Sequence, residues 1–599
     1  MNRDAETFAY LFEAKGIGGY ITDTGRLIDL IGGSDLVAGL CTSDRDDVLA
    51  AVLAAAGAAD LEEAGLEESR RAGGAFCLHA GDRDRLDRVR ALWRLVVGVT
   101  CPGLSFTDTD TNQPPEDAAP NSDRQAPPPA VAALRAAYRR QPGLRENSGA
   151  LLPPTGQPVT ETDRRTGRVA VEFEVKVDVP KPLDDDVAKR PKHLDGVVAA
   201  MRRRGRDIST SDAQDRLARL FLPRDPAEAA PYRFPRHFET DEASRNNPAF
   251  PLRPGDRRVA VVHADISRLG ETFRRVTERA KTPGEVFEAA RCIEAAITRA
   301  ARSASAAVLL PAAVRSGESK EDQERYAALF GPKDRKTPPA NLAIVPARPV
   351  ILGGDDITLI VRADLALAFA QALLEGIERE TRAAFPAHAA LGLPEYLTAC
   401  AGVAVVGAGH PFLTANRMAE GMCKHAKTWA KEEAKTAGVG TPSSALTFGV
   451  ITSTVDESHD DWHRREQQIL PACPATAQGG AQRAALFATF CPYVATGAAA
   501  RSLAALRALA DVLDGAEGRG KLIEAVALRA TDPVGARTQH DRFREVLAAE
   551  DSKRIERMDA ALAALLGQAP ADLDAALPVF NDALELIDIG ATAVSGDPA

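Results

Sequence analysis

The stretch Ile351–Val361, ILGGDDITLIV, constrains the fold more than any other part of this chain. Two apolar, β-branched runs flank two glycines and two aspartates, the pattern of a β-hairpin with a tight turn. Gly353 and Gly354 lack a Cβ and can take the positive φ that such a turn needs. Asp355 and Asp356 then open the second strand. Adjacent carboxylates repel each other unless a cation or hydrogen bonds compensate. Hard oxygen donors on a rigid turn suit Mg²⁺ or Mn²⁺, ions that usually arrive with phosphates. The competing reading of these four residues is a solvated turn, because Gly and Asp are the commonest turn formers.

The sequence around the hairpin supplies a complete unit. Val259–Ala264 is apolar apart from His263 and reads as a buried strand that ends at Asp265. Helical spacing follows through Leu269 and Phe273 and again from Gly284 to Ala301, and Ser316–Pro339 reads as a charged surface insertion. After the hairpin come a helix over Leu365–Phe385, a strand over Leu397–Val406 and a long helix over Phe412–Ala434. The order is the ferredoxin-like βαββαβ plan. An earlier segment has the same plan: a strand over Phe8–Glu13, a helix over Asp46–Ala59, a hairpin over Arg71–His79 turning at Gly73 and Gly74, an amphipathic helix over Arg83–Val97, and a closing strand over Leu104–Thr107. This points to an internal duplication. The fold class expected is therefore α+β, with two ferredoxin-like (βαββαβ) domains and a C-terminal helical domain. The expected boundaries are 1–110, a linker and irregular insertion over 111–255 containing one strand at Val169–Val179, then 256–450 and 451–599.

In a βαββαβ sheet the first and third strands are central neighbours, which sets Asp265 beside Asp355 and Asp356. Three carboxylates so placed can hold two divalent ions on a nucleoside triphosphate. Backbone amides around Ile266, Ser267 and Leu269, at the start of the next helix, are candidates for phosphate oxygens. Lys424, Lys427 and Lys431 share the last helix, and Lys427 is the candidate to reach a triphosphate, against the plainer reading of a solvated face. His263 reads as a packed core residue.

Composition narrows the partners. A net charge of -10 gives no overall support to a large nucleic-acid groove. The apolar run Val48–Ala59 is too short to span a bilayer, and the N-terminus has no apolar signal core, so a cytoplasmic protein with no membrane partner is expected. The eight cysteines form no CxxC pair, which indicates neither a zinc knuckle nor a disulfide frame. The dyads His459-Asp460 and His540-Asp541 stand without the further ligands a metal site needs.

The blocks VVHADISRLG, ILGGDDITLIV, LTACAGVAVV and AEGMCKHAKTWAKEEA resemble, in order and spacing, the palm domain of the large, polymerase-like subunit of type III CRISPR effector complexes. LFEAKGIGGYI followed by RLIDLIGGSDL resembles the opening of that family's first palm. The resemblance implies two palms and synthesis of a cyclic oligoadenylate second messenger from ATP, in antiviral defence, with two ATP molecules between the palms. Gly353, Gly354, Asp355 and Asp356 match its motif, and Asp265 its strand-one aspartate. Asp265, Asp355 and Asp356 would hold Mg²⁺ or Mn²⁺. Gly32, Gly33 and Ser34 fall in what the resemblance makes a nucleotide-contacting loop. Ala75 and Phe76 stand where the first palm would need aspartates, so only the second palm would bind metal. The family's HD nuclease domain and cysteine-based zinc module have no counterpart here, which points to a stand-alone or divergent relative.

Two other readings remain at this stage. One is a non-catalytic palm-pair scaffold that binds RNA and small CRISPR-type RNA-binding subunits. The other is a diguanylate cyclase, although Asp356 and Ile357 stand where that signature has Glu-Phe.

Overall fold

A computed structural model describes residues 7–22, 24, 26–42, 47–72, 74–110, 129–140, 147–148, 170–174, 192–210, 216–240, 243–332, 334–451, 459–460, 492–496, 501–529, 532–567 and 573–591. It is a mixed α/β structure with several sheets and many helices.

The chain opens with β1 (Phe8–Lys15), α1 (Ile17–Thr22), α2 (Leu27–Ala38) and α3 (Val48–Ala55), whose first turn is capped by the Asp47 carboxylate. The hairpin strands β2 (Leu66–Ala72) and β3 (Ala75–Ala80) lead to α4 (Arg83–Thr100) and β4 (Ser105–Asp110). α4 buries Leu86, Val89, Trp93 and Val97 at helical spacing. The sheet order is β2-β3-β1-β4, with β5 (Asn147–Ser148) at the edge. Phe12, Phe76 and Trp93 form its aromatic centre, with Phe12–Phe76 centroids 5.5 Å apart and Phe76–Trp93 4.9 Å.

Much of the expected linker lies outside the described residues. The described parts are more ordered than the reading of irregular sequence allowed. They comprise α5 (Pro129–Arg140), the strand pair β6 (Ala170–Glu174) and β7 (Lys192–Asp195), and α6 (Gly196–Thr210). The rest of the expected strand, Val169 and residues 175–179, lies outside the described residues. α6 packs along α2 and is tied to it by a buried ion pair, Arg202 to Asp29, with Arg202 Nη2 2.7 Å from Asp29 Oδ2. Sequence periodicity alone missed α6 because its face is broken by the Arg-rich run MRRRGR, of which Arg202 and Arg204 find buried carboxylate partners in Asp29 and Asp35.

The second sheet begins, after a short β8 (Tyr232–Arg233), with β9 (Arg258–Ile266), followed by α7 (Leu269–Arg279) and α8 (Pro283–Ala304). A further helix, α9 (Lys320–Ala327), lies inside the expected surface insertion. It is not merely surface: Tyr326, Leu329 and Phe330 bury against Ile344 of β10 (Ala343–Ile344). Then come β11 (Ala347–Gly353), β12 (Asp356–Arg362), α10 (Ala363–Ala384), β13 (Ala399–Gly407) and α11 (Phe412–Thr436). The order is β11-β12-β9-β13, the same second-third-first-fourth order as the first sheet. β14 (Ala445–Val450) adds parallel to β13, and β15 (Tyr493–Val494) pairs with β14; neither was expected.

The described part of the tail from residue 501 onward carries α12 (Leu503–Leu513), α13 (Arg519–Leu528), α14 (Pro533–Glu550), α15 (Ser552–Leu566) and α16 (Leu573–Asp588). The six cysteines among the described residues are free thiols, and Cys473 and Cys491 lie outside them. No helix among the described residues is long and apolar enough to cross a membrane.

Candidate active site

The GGDD hairpin closes as a two-residue turn. Gly353 and Asp356 are cross-strand partners, and Gly354, in the turn, takes φ +64° with open space around it. Asp356 is also the cross-strand partner of Asp265, so the central pair β9–β12 brings the two aspartates face to face. Asp355 sits at the turn with its side chain exposed, and its carbonyl oxygen accepts the Ile266 amide at 3.0 Å.

Lys427 reaches this end of the sheet from α11. Its ammonium donates to Asp265 Oδ1 at 2.5 Å, with both side chains about a quarter exposed. Burial alone would lower the Lys427 ammonium; the hydrogen bond and charge of Asp265 outweigh it and hold the group above its usual range. Lys424 and Lys431 are exposed.

Asp356 is the electrostatically frustrated member. Burial, then the charges of Asp355, Asp265 and Glu420, push its carboxyl up to about 7, with Lys427 opposing. His263 is buried as expected: its Nδ1 lies 2.9 Å from Thr358 Oγ1, and burial pulls the imidazole down to about 4. It stays neutral near pH 7.

Three sequence expectations are corrected. First, the amides of Ile266 and Ser267 are not free for phosphate. The Ile266 amide donates to Asp355 and the Ser267 amide to Thr398, both completing the sheet end, and Ser267 itself is buried. Second, Gly32, Gly33 and Ser34 are not a loop but the interior of α2. A Cβ on Gly32 would fall 1.8 Å from the Met201 carbonyl oxygen of α6, and Gly33 faces the Met201 side chain. These glycines serve helix packing, and Ser34 is buried with them. Third, the three carboxylates are not gathered as a metal-holding group: no such group of His, Cys, Asp or Glu occurs among the described residues. The backbone register pairs Asp356 with Asp265, but Lys427 engages the Asp265 carboxylate and Asp355 stays in solvent.

The first-sheet hairpin shifts by one residue from its expected alignment. Ala72 and Ala75 close the turn, and Gly74 takes φ +75°, while Gly73 lies outside the described residues. Ala75 therefore stands in the place of Asp356, and its partner on β1 is Glu13, in the place of Asp265. Phe76 lies one step further on, fully buried in the aromatic centre. Glu13 is paired with Lys15 and with Arg70 at 3.4 Å, so this counterpart carries one neutralised acid.

Glu420 was missed in the sequence. It lies on α11 seven residues before Lys427, two helical turns away and hence on the same face. That spacing was the available signal. Burial raises its carboxyl, and the Asn416 amide donates to its Oε1 at 2.7 Å. Gly402 of β13 sets the height of this helix: a Cβ there would lie 2.0 Å from the Ala419 carbonyl oxygen.

Among the described residues neither dyad joins a group that could hold a metal. His459 packs on Gly421 and lies ring-to-ring with His425 at 5.8 Å, and His540 neighbours Asp541 and the Phe580 ring. A cavity of about 450 Å³ lined by Glu375, Glu378, Arg379, Arg382, Ala383 and Thr496 contains none of the carboxylates above. Its arginines are already engaged, Arg379 by Ser303 and Arg382 by the Tyr396 ring.

No family model and no curated protein matches the chain. Among solved structures it is similar to the Csm1-Csm4 cassette in complex with cA4, at 12% identity and TM-score 0.39, covering 98% of this chain and 70% of that one. The same cassette with one ATP gives 13% identity and TM-score 0.40 at the same coverage, 98% and 70%. Csm1 of T. onnurineus gives 13% and 0.39, again over 98% and 70%. A likeness of this size leaves the functional reading to the residues themselves.

Proposed function

We propose that the chain is a metal-dependent nucleotidyltransferase that joins nucleoside triphosphates, ATP foremost, into a cyclic oligonucleotide signal used in antiviral defence. The observation that carries this reading is the register that pairs Asp356 with Asp265 at the mouth of a glycine turn. The sequence resemblance adds two palms, one carrying the acids and the other, with Ala75 and Glu13 in their places, holding a second nucleotide.

The donor chemistry suits a divalent cation, whose binding would require Asp355 to turn in from solvent and Asp265 to share its carboxylate with Lys427. Asp265, Asp355 and Asp356 offer only hard oxygens, and the raised carboxyl of Asp356 marks negative charge in excess of what Lys427 balances. Mg²⁺ or Mn²⁺ held by these three would compensate triphosphate charge and acidify an attacking 3′-hydroxyl. Lys427 lies beside the acids, where its charge offsets that of the phosphates and steadies Asp265. The Gly354 turn leaves open space at the acids. RNA and small RNA-binding subunits of the CRISPR type are additional partners in this proposal.

The test is mass spectrometry after incubation of the pure protein with each nucleoside triphosphate and Mn²⁺, with and without RNA. A 3′-linked or cyclic product from ATP is expected. No product under any of these conditions sinks the reading.

A further inference from the structure

Beside the acids, on the side facing the first sheet, lies a second polar group that the chemistry above does not use. Glu420 is on α11, two helical turns before Lys427 and on the same helix face. A Cβ on Gly18 of α1 would lie 3.4 Å from its Oε1 and 3.8 Å from Ile351 of the GGDD hairpin. One carboxylate thus stands where α1, the hairpin and α11 meet. Its neighbour Asn416 is 2% exposed. The Asn416 amide nitrogen is spent on Glu420, while its Oδ1 has no hydrogen-bond partner among the described residues. A buried carbonyl oxygen left unpaired is costly.

The pair itself therefore presents mainly acceptors, with the Arg417 charge acting on Glu420 from the same helix. Asn416 fixes one Glu420 oxygen, leaving the other oxygen and the Asn416 carbonyl to be satisfied. Phosphate would be repelled here, and a second metal would compete with the three aspartates. The complementary chemistry is a neutral group rich in N–H or O–H, within reach of the reacting end of a nucleotide.

We propose that Glu420, oriented by Asn416, is a specificity residue that accepts a hydrogen bond from a donor on the bound nucleotide. This rests on the nucleotidyltransferase reading. Two sources on a nucleotide supply that chemistry, the exocyclic amine of the base and a ribose hydroxyl. Asn416 is a positioning residue: it holds the carboxylate and does not contact the nucleotide's phosphates.

The experiment measures, by calorimetry on the full chain, binding of non-hydrolysable ATP, its purine-riboside counterpart without the 6-amino group, and its 2′-deoxy counterpart. Glu420→Gln and the shorter Glu420→Asp are compared with wild type, after thermal melts confirm that each folds. Wild type should prefer the ATP analogue over one of the two altered ligands by about tenfold to a hundredfold, the range of a hydrogen bond to a charged group. Glu420→Gln, which keeps one acceptor oxygen but loses the charge, should cut that preference several-fold and leave the other ligand's ratio unchanged, and Glu420→Asp, which withdraws the carboxylate, should cut it as well. Loss of the amine preference assigns the base, and loss of the 2′-deoxy preference assigns the ribose. Unchanged ratios in both variants, or equal weakening toward all three ligands, overturn the proposal while leaving the nucleotide site standing. A wild-type chain that binds none of the ligands overturns both.

Discussion

At the residue scale, the acids were legible because charge on a glycine turn is conspicuous and because strand neighbours follow from the plan. Asp265 and Asp356 meet across strands as that plan requires. What stayed hidden was how backbone groups were used. Ile266 and Ser267 looked like free amides at a helix start, yet the sheet end consumes both. Titration gives a signed prediction. Asp356 is raised from an ordinary 3.8 to about 7, so the folded chain binds a proton that the unfolded chain has released, and stability falls as pH rises through that window. Asp356→Asn should therefore raise the melting temperature at pH 8 but not at pH 4. With 47% of its side chain in solvent, the gain should be only about 1–2 °C. His263 and His79 act in the opposite sense. Burial pulls them down to about 4 and about 3, so the unfolded chain takes up protons first and stability is lost as pH falls below 6.5. Melts of Asp356→Asn, which lacks the opposing carboxyl, should show that loss between pH 7 and pH 5. Lys427→Ala should lower the rate of product formation by about 10²-fold by leaving Asp265 unpartnered, with Lys427→Arg retaining part of it. A product-release time course measures both.

At the scale of elements, hydrophobic periodicity located α4, α8, α10 and α11 to within a few residues, because each buries one continuous apolar stripe. It failed at α2 and α6, where small residues and buried ion pairs do the packing. The loop at Gly32, Gly33 and Ser34 is what the family resemblance implies, whereas glycine inside a helix serves close helix approach. Gly32→Val would drive a side chain into the Met201 carbonyl and should cost about 2–4 kcal/mol in denaturant unfolding. Gly402 has a more specific consequence. It lets α11 lie against β13, and α11 carries both Lys427 and Glu420. Gly402→Ala should push the helix outward and reduce product formation more than tenfold at a temperature where circular dichroism still shows a folded chain, since a shift of about 1 Å at a reacting site is costly.

At the scale of the whole molecule, the repeated plan was readable because both halves keep the same strand order. The union of the halves was not. One apolar cluster runs from Tyr10, Phe12 and Trp93 of the first sheet unit to Val261, Ile360, Met418 and Met422 of the second. The helices of the tail join the other large cluster, around α8 and α10. Contacts of this kind link residues hundreds of positions apart and leave no local pattern. They place α1 and Glu420 together and make the candidate site a junction of both halves. The central claim is that the acids of one hairpin perform nucleotide transfer. Its most direct test compares wild type with Asp355→Ala/Asp356→Ala, incubated with ATP and Mn²⁺ and read by mass spectrometry beside a thermal melt. The wild type should yield cyclic or linear 3′-linked product and the folded double variant none; equal yields from both would contradict the claim.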